Sequence, residues 1–111
     1  MNKYHNKKTV IDGHTFDSKK ESQRYLYLKS QLKEGCIRNL MLQPKYILQD
    51  EFESNGKKIK AIAYIADFCY DNLIDGKHVI EDTKGFKTRD YIIKKKLLMK
   101  MLKTNEMFLE T

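Results

Sequence analysis

The sequence predicts an α/β chain of the α+β kind: a short N-terminal β-ribbon, a helix, a meander of three strands, a second helix and a last short strand. Three observations carry this expectation. Asp75-Gly76 separates two runs rich in β-branched and aromatic residues, which is a hairpin signal because both residues accept the positive φ of a type I′ turn. Residues 18–35 switch to helical spacing between a serine cap and a glycine stop. Residues 89–102 gather their apolar side chains on one arc at 100° per residue.

Taken in order, residues 1–7 are polar and basic and read as a loose arm. Asp12-Gly13 lies between Lys8-Thr-Val-Ile and His14-Thr-Phe and predicts the ribbon. Ser18 is the N-cap of the first helix, Glu21 falls at the N3 position of a capping box, and Gly35 fits the C′ position. Tyr25, Leu28 and Leu32 are the face expected to lie on the sheet, with Glu21 one turn earlier on the same stripe. Ile37 to Gln43 and Tyr46 to Glu53 read as extended, broken by Pro44, the only proline. Asn55-Gly56 turns the chain into a long strand from about Lys58 to Tyr70, followed by a partner from Lys77 to Lys84. The second helix places Tyr91, Ile93, Leu97, Leu98, Met101 and Leu102 on its apolar arc, with Lys94 intruding among them, and Arg89, Lys96, Lys100 and Lys103 opposite. Met107-Phe-Leu offers a closing strand.

With 111 residues the chain has room for one domain and one core. The 22 basic against 15 acidic residues give a net charge of +7, which favours a polyanionic partner. Cys36 and Cys69, in a chain with no signal peptide, suggest a reduced, cytoplasmic protein with free thiols. No apolar run is long enough to span a bilayer, and basic helices binding a membrane surface would need the apolar arc that the sheet already requires, so a membrane is not an expected partner. His5, His14 and His78 lack zinc-ligand spacing.

The predicted hairpin concentrates chemistry. A two-residue turn at Asp75-Gly76 sets Asp67 opposite Lys84 and Cys69 opposite Asp82. Paired residues share a face, as do residues two apart, so Asp67, Asp82 and Lys84 converge while Glu81 points to the other side. Two carboxylates and an ammonium among Ile65, Cys69 and Ile80 are costly unless something pairs them, and a divalent metal would. The plain alternatives stay open beside this. Asp67 and Lys84 can form a cross-strand ion pair, which leaves Asp82 without a partner; Glu21 can simply close its capping box; Lys94 can snorkel at the rim of the core; and Cys69 can be a small inward hydrophobe.

The segments Lys-Tyr-His-Asn-Lys-Lys, Asp-Gly-His-Thr-Phe-Asp-Ser-Lys-Lys-Glu, Leu-Gln-Pro-Lys-Tyr, Tyr-Ile-Ala-Asp-Phe and Glu-Asp-Thr-Lys-Gly-Phe-Lys-Thr resemble a family of small phage and prophage proteins of Gram-positive bacteria. That family carries a domain-of-unknown-function label and is placed in the PD-(D/E)xK nuclease superfamily. The resemblance implies a restriction-endonuclease-like αβββαβ core, a central mixed sheet flanked by two helices, with the site at one edge of the sheet. Asp67 matches the motif's first acid, Asp82 the variable acid, Lys84 the lysine and Glu21 the helix-borne acid; Ala66 replaces the proline. The resemblance also implies Mg²⁺ or Mn²⁺ on Asp67, Asp82, Glu21 and the Thr83 carbonyl. Magnesium suits such oxygens because it is a hard ion that takes one or two carboxylates, water and phosphate oxygens. The implied activity is hydrolysis of DNA to 5′-phosphate and 3′-hydroxyl ends in a phage-infected or prophage-carrying host cell. Lys7, Lys8, Lys19 and Lys20 near the first helix, and Lys87, Arg89, Lys94, Lys96 and Lys100 past the site, would then border a phosphate-backbone groove. So small a domain has no spare module for reading a long sequence, which favours recognition of DNA structure, a Holliday junction among the candidates. Cutting two strands would call for a homodimer. The rival expectation is a non-catalytic nucleic-acid-binding accessory protein with the same fold.

Overall fold

The computed structural model describes residues 8–111; the arm expected over residues 1–7, Lys7 included, lies outside them. The described chain is a mixed α+β protein of two helices and ten strands. Strands β1 (Thr9–Ile11) and β2 (His14–Phe16) form the expected ribbon, with Asp12 at φ 52° and Gly13 at φ 79° in its turn. The ribbon is tied to helix α1 (Lys19–Lys33): the Tyr25 hydroxyl and the Lys29 ammonium both donate to Asp12 Oδ2 at 2.8 Å, and the Phe16 and Tyr25 rings lie 5.0 Å apart. Ser18 caps α1 by accepting the Glu21 N–H at 3.1 Å.

Strand β3 (Ile37–Leu42) belongs to a four-stranded sheet in the order β10-β9-β8-β3, with β8 (Phe68–Asn72), β9 (His78–Asp82) and β10 (Glu106–Glu110). The β8–β9 and β3–β8 pairs are antiparallel and the β9–β10 pair is parallel, so the sheet is mixed. Side chains alternate across it. On one face Phe68, Tyr70 and Val79 pack with Phe16, Tyr25 and Leu28 of the ribbon and α1; on the other Cys69 and Ile80 pack with Tyr64, Ala66 and Leu98, the last from helix α2 (Arg89–Met101).

Four expectations need correction. The long strand from Lys58 to Tyr70 is three pieces, β6 (Lys57–Ile59), β7 (Ile62–Ile65) and β8. It breaks because the chain changes partner: β7 pairs with β4 (Lys45–Gln49), whereas β8 pairs with β3. At the fork, Ala66 N–H donates to the Pro44 carbonyl at 3.1 Å and Gln43 N–H to the Asp67 carbonyl at 2.9 Å. Strands β5 (Phe52–Ser54) and β6 form a wholly exposed hairpin beyond it.

The turn between β8 and β9 is also longer than predicted. Asn72 N–H donates to the Lys77 carbonyl, and Gly76 N–H to the Asn72 carbonyl, both at 2.8 Å, enclosing Leu73–Gly76. Only Gly76, at φ 74°, adopts the left-handed region, whereas a type I′ turn needs two such residues. Asn72 and Asp75 side chains accept the N–H groups of Ile74 and Lys77 and stabilise the wider loop. Phe68 therefore faces Glu81 and Cys69 faces Ile80, a register moved by two residues, which keeps Cys69, Ile80 and Glu81 on their predicted faces; Ile65, expected beside Cys69, is exposed instead, and Tyr64 and Ala66 pack there.

Leu32 is exposed, Ser22 completing the buried stripe with Tyr25 and Leu28 in its place. On α2 only Leu98 is buried, while Ile93, Leu97 and Met101 are exposed, because the helix lies over the narrow β4–β7 pair rather than a broad sheet.

Candidate active site

Asp67 stands at the fork immediately before β8 and Asp82 ends β9, so the two acids meet where adjacent strands run out. Each grips the other's backbone. Asp67 N–H donates to Asp82 Oδ1 at 2.8 Å, and the N–H of Thr83, next after Asp82, donates to Asp67 Oδ2 at 2.8 Å. The second oxygen of Asp82 accepts the hydroxyl of Tyr64, itself buried. Asp82 is 0% exposed, and both its oxygens are engaged by the protein. Asp67 is half-buried and only its Oδ2 receives a protein hydrogen bond among the described residues.

Burial pushes the Asp67 carboxyl up to about 7; the neighbouring charges of Asp82 and Glu21 push the same way, against the Thr83 N–H and Lys84. Burial likewise raises Asp82, against the Tyr64 hydroxyl and Lys84. Glu21 is raised by burial first, then by Asp17 and Asp82. Lys84 opposes the rise at all three acids, joined by the Thr83 N–H at Asp67 and by the Tyr64 hydroxyl and the Asp67 N–H at Asp82.

Glu21 projects from the first turn of α1 into a cavity of about 270 Å³ whose walls include Asp67, His14, Phe16, Leu42 and Gln43. Its backbone N–H satisfies the Ser18 cap while its side chain faces this space, so among the described residues the expected capping box is not closed by the Glu21 carboxylate. Gln43 is held at φ 51°, a left-handed conformation sparsely used outside glycine and asparagine, beside Asp67. Lys84 is half-buried with its ammonium 4.9 Å from the centre of the Tyr91 ring, on the α2 side. The Thr83 hydroxyl lies 2.9 Å from that of Thr111, leaving the Thr83 backbone as its link to Asp67.

The basic residues separate into two groups. Lys19, Lys20 and Arg89 are exposed. Lys87 is bound to Glu110 at 3.0 Å, and Lys94 pairs with Asp90 at 3.6 Å, lining a second cavity of about 220 Å³ with Tyr64 and Tyr91 rather than the one that Glu21 and Asp67 share.

Two elements of the neighbourhood escaped the sequence. Glu81, turned to the α1 face as predicted, is 0% exposed and accepts two hydrogen bonds from Arg24 and one from the Tyr70 hydroxyl at 2.7 Å. The available signal was Arg24 itself, the one base between Glu21 and Leu28, beside the helix stripe, facing a strand acid that needed a partner. Tyr64 carried no such signal, because the break between β7 and β8 hides its relation to Asp82.

The donor set suits a hard divalent cation: the buried Asp82 carboxylate, the half-buried Asp67 carboxylate with one oxygen free of protein hydrogen bonds among the described residues, and Glu21, which shares with Asp67 the wall of the cavity of about 270 Å³. Its arrangement is not a finished cage. Among the described residues no three carboxylate, histidine or cysteine side chains stand close enough to hold an ion. Nor, among those residues, is any helix long and apolar enough to cross a membrane.

Residues 1–109 match the family described as "Protein of unknown function (DUF1064)". No curated protein matches the chain.

Proposed function

We propose that this chain, which belongs to the DUF1064 family, is a Mg²⁺- or Mn²⁺-dependent endonuclease that hydrolyses phosphodiester bonds in DNA, leaving 5′-phosphate and 3′-hydroxyl ends. The observation that carries the proposal is the mutual clasp of Asp67 and Asp82, one acid half-buried and the other buried, whose proton affinities burial raises beside Glu21 and Lys84. Supporting it is the resemblance of the same residues to the PD-(D/E)xK motif on a restriction-endonuclease-like core.

In this reading Asp67 and Glu21, which line the cavity, would hold the ion together with Asp82, with the Thr83 carbonyl as a further oxygen. A bound ion would supply Lewis acidity, lowering the pKa of water and offsetting charge on the scissile phosphate. Lys84 leaves the Tyr91 ring to orient the attacking water or to neutralise the phosphorane. Lys19 and Lys20, exposed just before Glu21, and Arg89, exposed at the start of α2, receive the DNA backbone; Lys87 and Lys94 join them on release from Glu110 and Asp90. Branched DNA, such as a Holliday junction, is the preferred substrate, cut by a homodimer in the cytoplasm of a host carrying the phage or prophage.

A specific feature favours the rival reading, a nucleic-acid-binding accessory protein without catalysis: both oxygens of Asp82 already have protein donors. Incubation with supercoiled, linear and branched DNA separates the two. Cleavage is expected with Mg²⁺ or Mn²⁺, lost with chelator and lost in Asp67→Asn and Asp82→Asn. Binding without metal-dependent cleavage would establish the rival, and equal nicking by wild type and variants would mark a contaminant.

A further inference from the structure

Among the described residues, four other than glycine hold a positive φ. Three of them, Asp12, Asn39 and Asn55, have short polar side chains that tolerate this backbone by bonding locally. The fourth is Gln43, at φ 51°, and it also precedes Pro44, whose ring pushes the residue before it toward extended backbone. The fold demands a turn at this point. Gln43 N–H donates to the Asp67 carbonyl at 2.9 Å and Ala66 N–H to the Pro44 carbonyl at 3.1 Å, so the partner strand changes from β8 to β7 within two residues. It does not demand glutamine. Glycine or asparagine would make the same turn at lower cost, and the exposed Gln43 side chain fills no core. That side chain instead lines the cavity of about 270 Å³ shared by Glu21, Asp67 and His14. A strained backbone kept at the edge of a polar cavity points to a side chain retained for a ligand.

From this geometry we propose that Gln43 is a substrate-binding residue whose side-chain amide donates a hydrogen bond to the sugar-phosphate backbone of the bound nucleic acid at the edge of that cavity. The proposal rests on the nucleic-acid reading above, in either its nuclease or its accessory form, and needs no metal ligand. An amide suits the place. A lysine there would be drawn to Glu21 and Asp67, whereas a neutral group keeps its N–H donors free for phosphate beside those acids. The contact carries no charge, so unlike Lys19 and Lys20 it releases no counterion.

Fluorescence anisotropy with branched DNA, run over a range of salt in chelator and again with Ca²⁺, tests this by binding alone. Gln43→Met keeps the length of the side chain and removes the donor. Affinity should fall about 10-fold at every salt concentration, the worth of one hydrogen bond to a charged group, while the slope of log K against log[salt] stays as in wild type. Gln43→Gly should bind as weakly as Gln43→Met, with its Tm unchanged or raised by up to about 5 °C as relief of the left-handed side chain is set against the freer unfolded glycine. Wild-type affinity in Gln43→Met refutes the contact and leaves the nucleic-acid reading intact. A lowered Tm in Gln43→Gly, or a shallower salt slope in Gln43→Met, also overturns the proposal, the first by showing a structural role and the second by showing an altered charge contact. If wild type binds branched DNA in neither buffer, the nucleic-acid reading falls and this proposal with it.

Discussion

Glu81 and Asp82 are consecutive, equally buried and treated in opposite ways. Glu81 is neutralised by Arg24 and also accepts from the hydroxyls of Tyr70 and Thr111, whereas the hydrogen bonds to Asp82 come from neutral donors, the Tyr64 hydroxyl and the Asp67 N–H. Removing the arginine strands a charge at a site with 0% exposure, so Arg24→Met should destabilise the fold by about 3–5 kcal/mol in urea titration. Asp67 predicts a pH dependence. Its folded pKa, about 7, lies above its ordinary value of 3.8, so the folded state holds the proton more tightly than the unfolded. The penalty is absent below about pH 4, grows through the interval and is complete above pH 7. Without added divalent ion, stability should fall from pH 4 to 7, and Asp67→Asn should flatten that part of the profile; an unchanged slope would show that Asp67 is not its source. At this scale the acids were legible in advance because strand parity survives a register error of two. Arg24 and Tyr64 were not, since which side chain meets a buried acid depends on how a helix or a broken strand is laid against it.

Local sequence located the ribbon, both helices and the last strand, because caps and Asx-Gly turns act within four or five residues. It misjudged the β8–β9 loop, where Asn72 and Asp75 side chains supply hydrogen bonds that favour four residues over two. Gly76 is the position to test: with φ at 74°, Gly76→Ala should cost about 1–2 kcal/mol, measured by thermal or urea unfolding. A loss much below this would mean that the loop relaxes into another turn. The exposed Ile93, Leu97 and Met101 were unreadable for another reason. Helical periodicity identifies an apolar arc but not the width of the surface beneath it.

Across the whole molecule, the charge of +7 is not spread evenly in its effect. Glu110 draws in Lys87 and the Tyr91 hydroxyl, which hold its carboxyl down at about 2, while Lys19 and Lys20 remain exposed. Binding to duplex or branched DNA, read by fluorescence anisotropy, should weaken steeply with salt. The Lys19→Ala and Lys20→Ala pair should lower the slope of log K against log[salt] by about 1–2, and Lys87→Ala by less. Equal slopes for all would place the DNA elsewhere. The fork at Ala66 and Asp67 adds a mechanical consequence. The outlying β5–β6 hairpin continues through β7 into the very residue whose backbone amide steadies Asp82, so it is a lever with an acid at its fulcrum. A load applied at the tip would reach that hinge through the intervening β4–β7 pair.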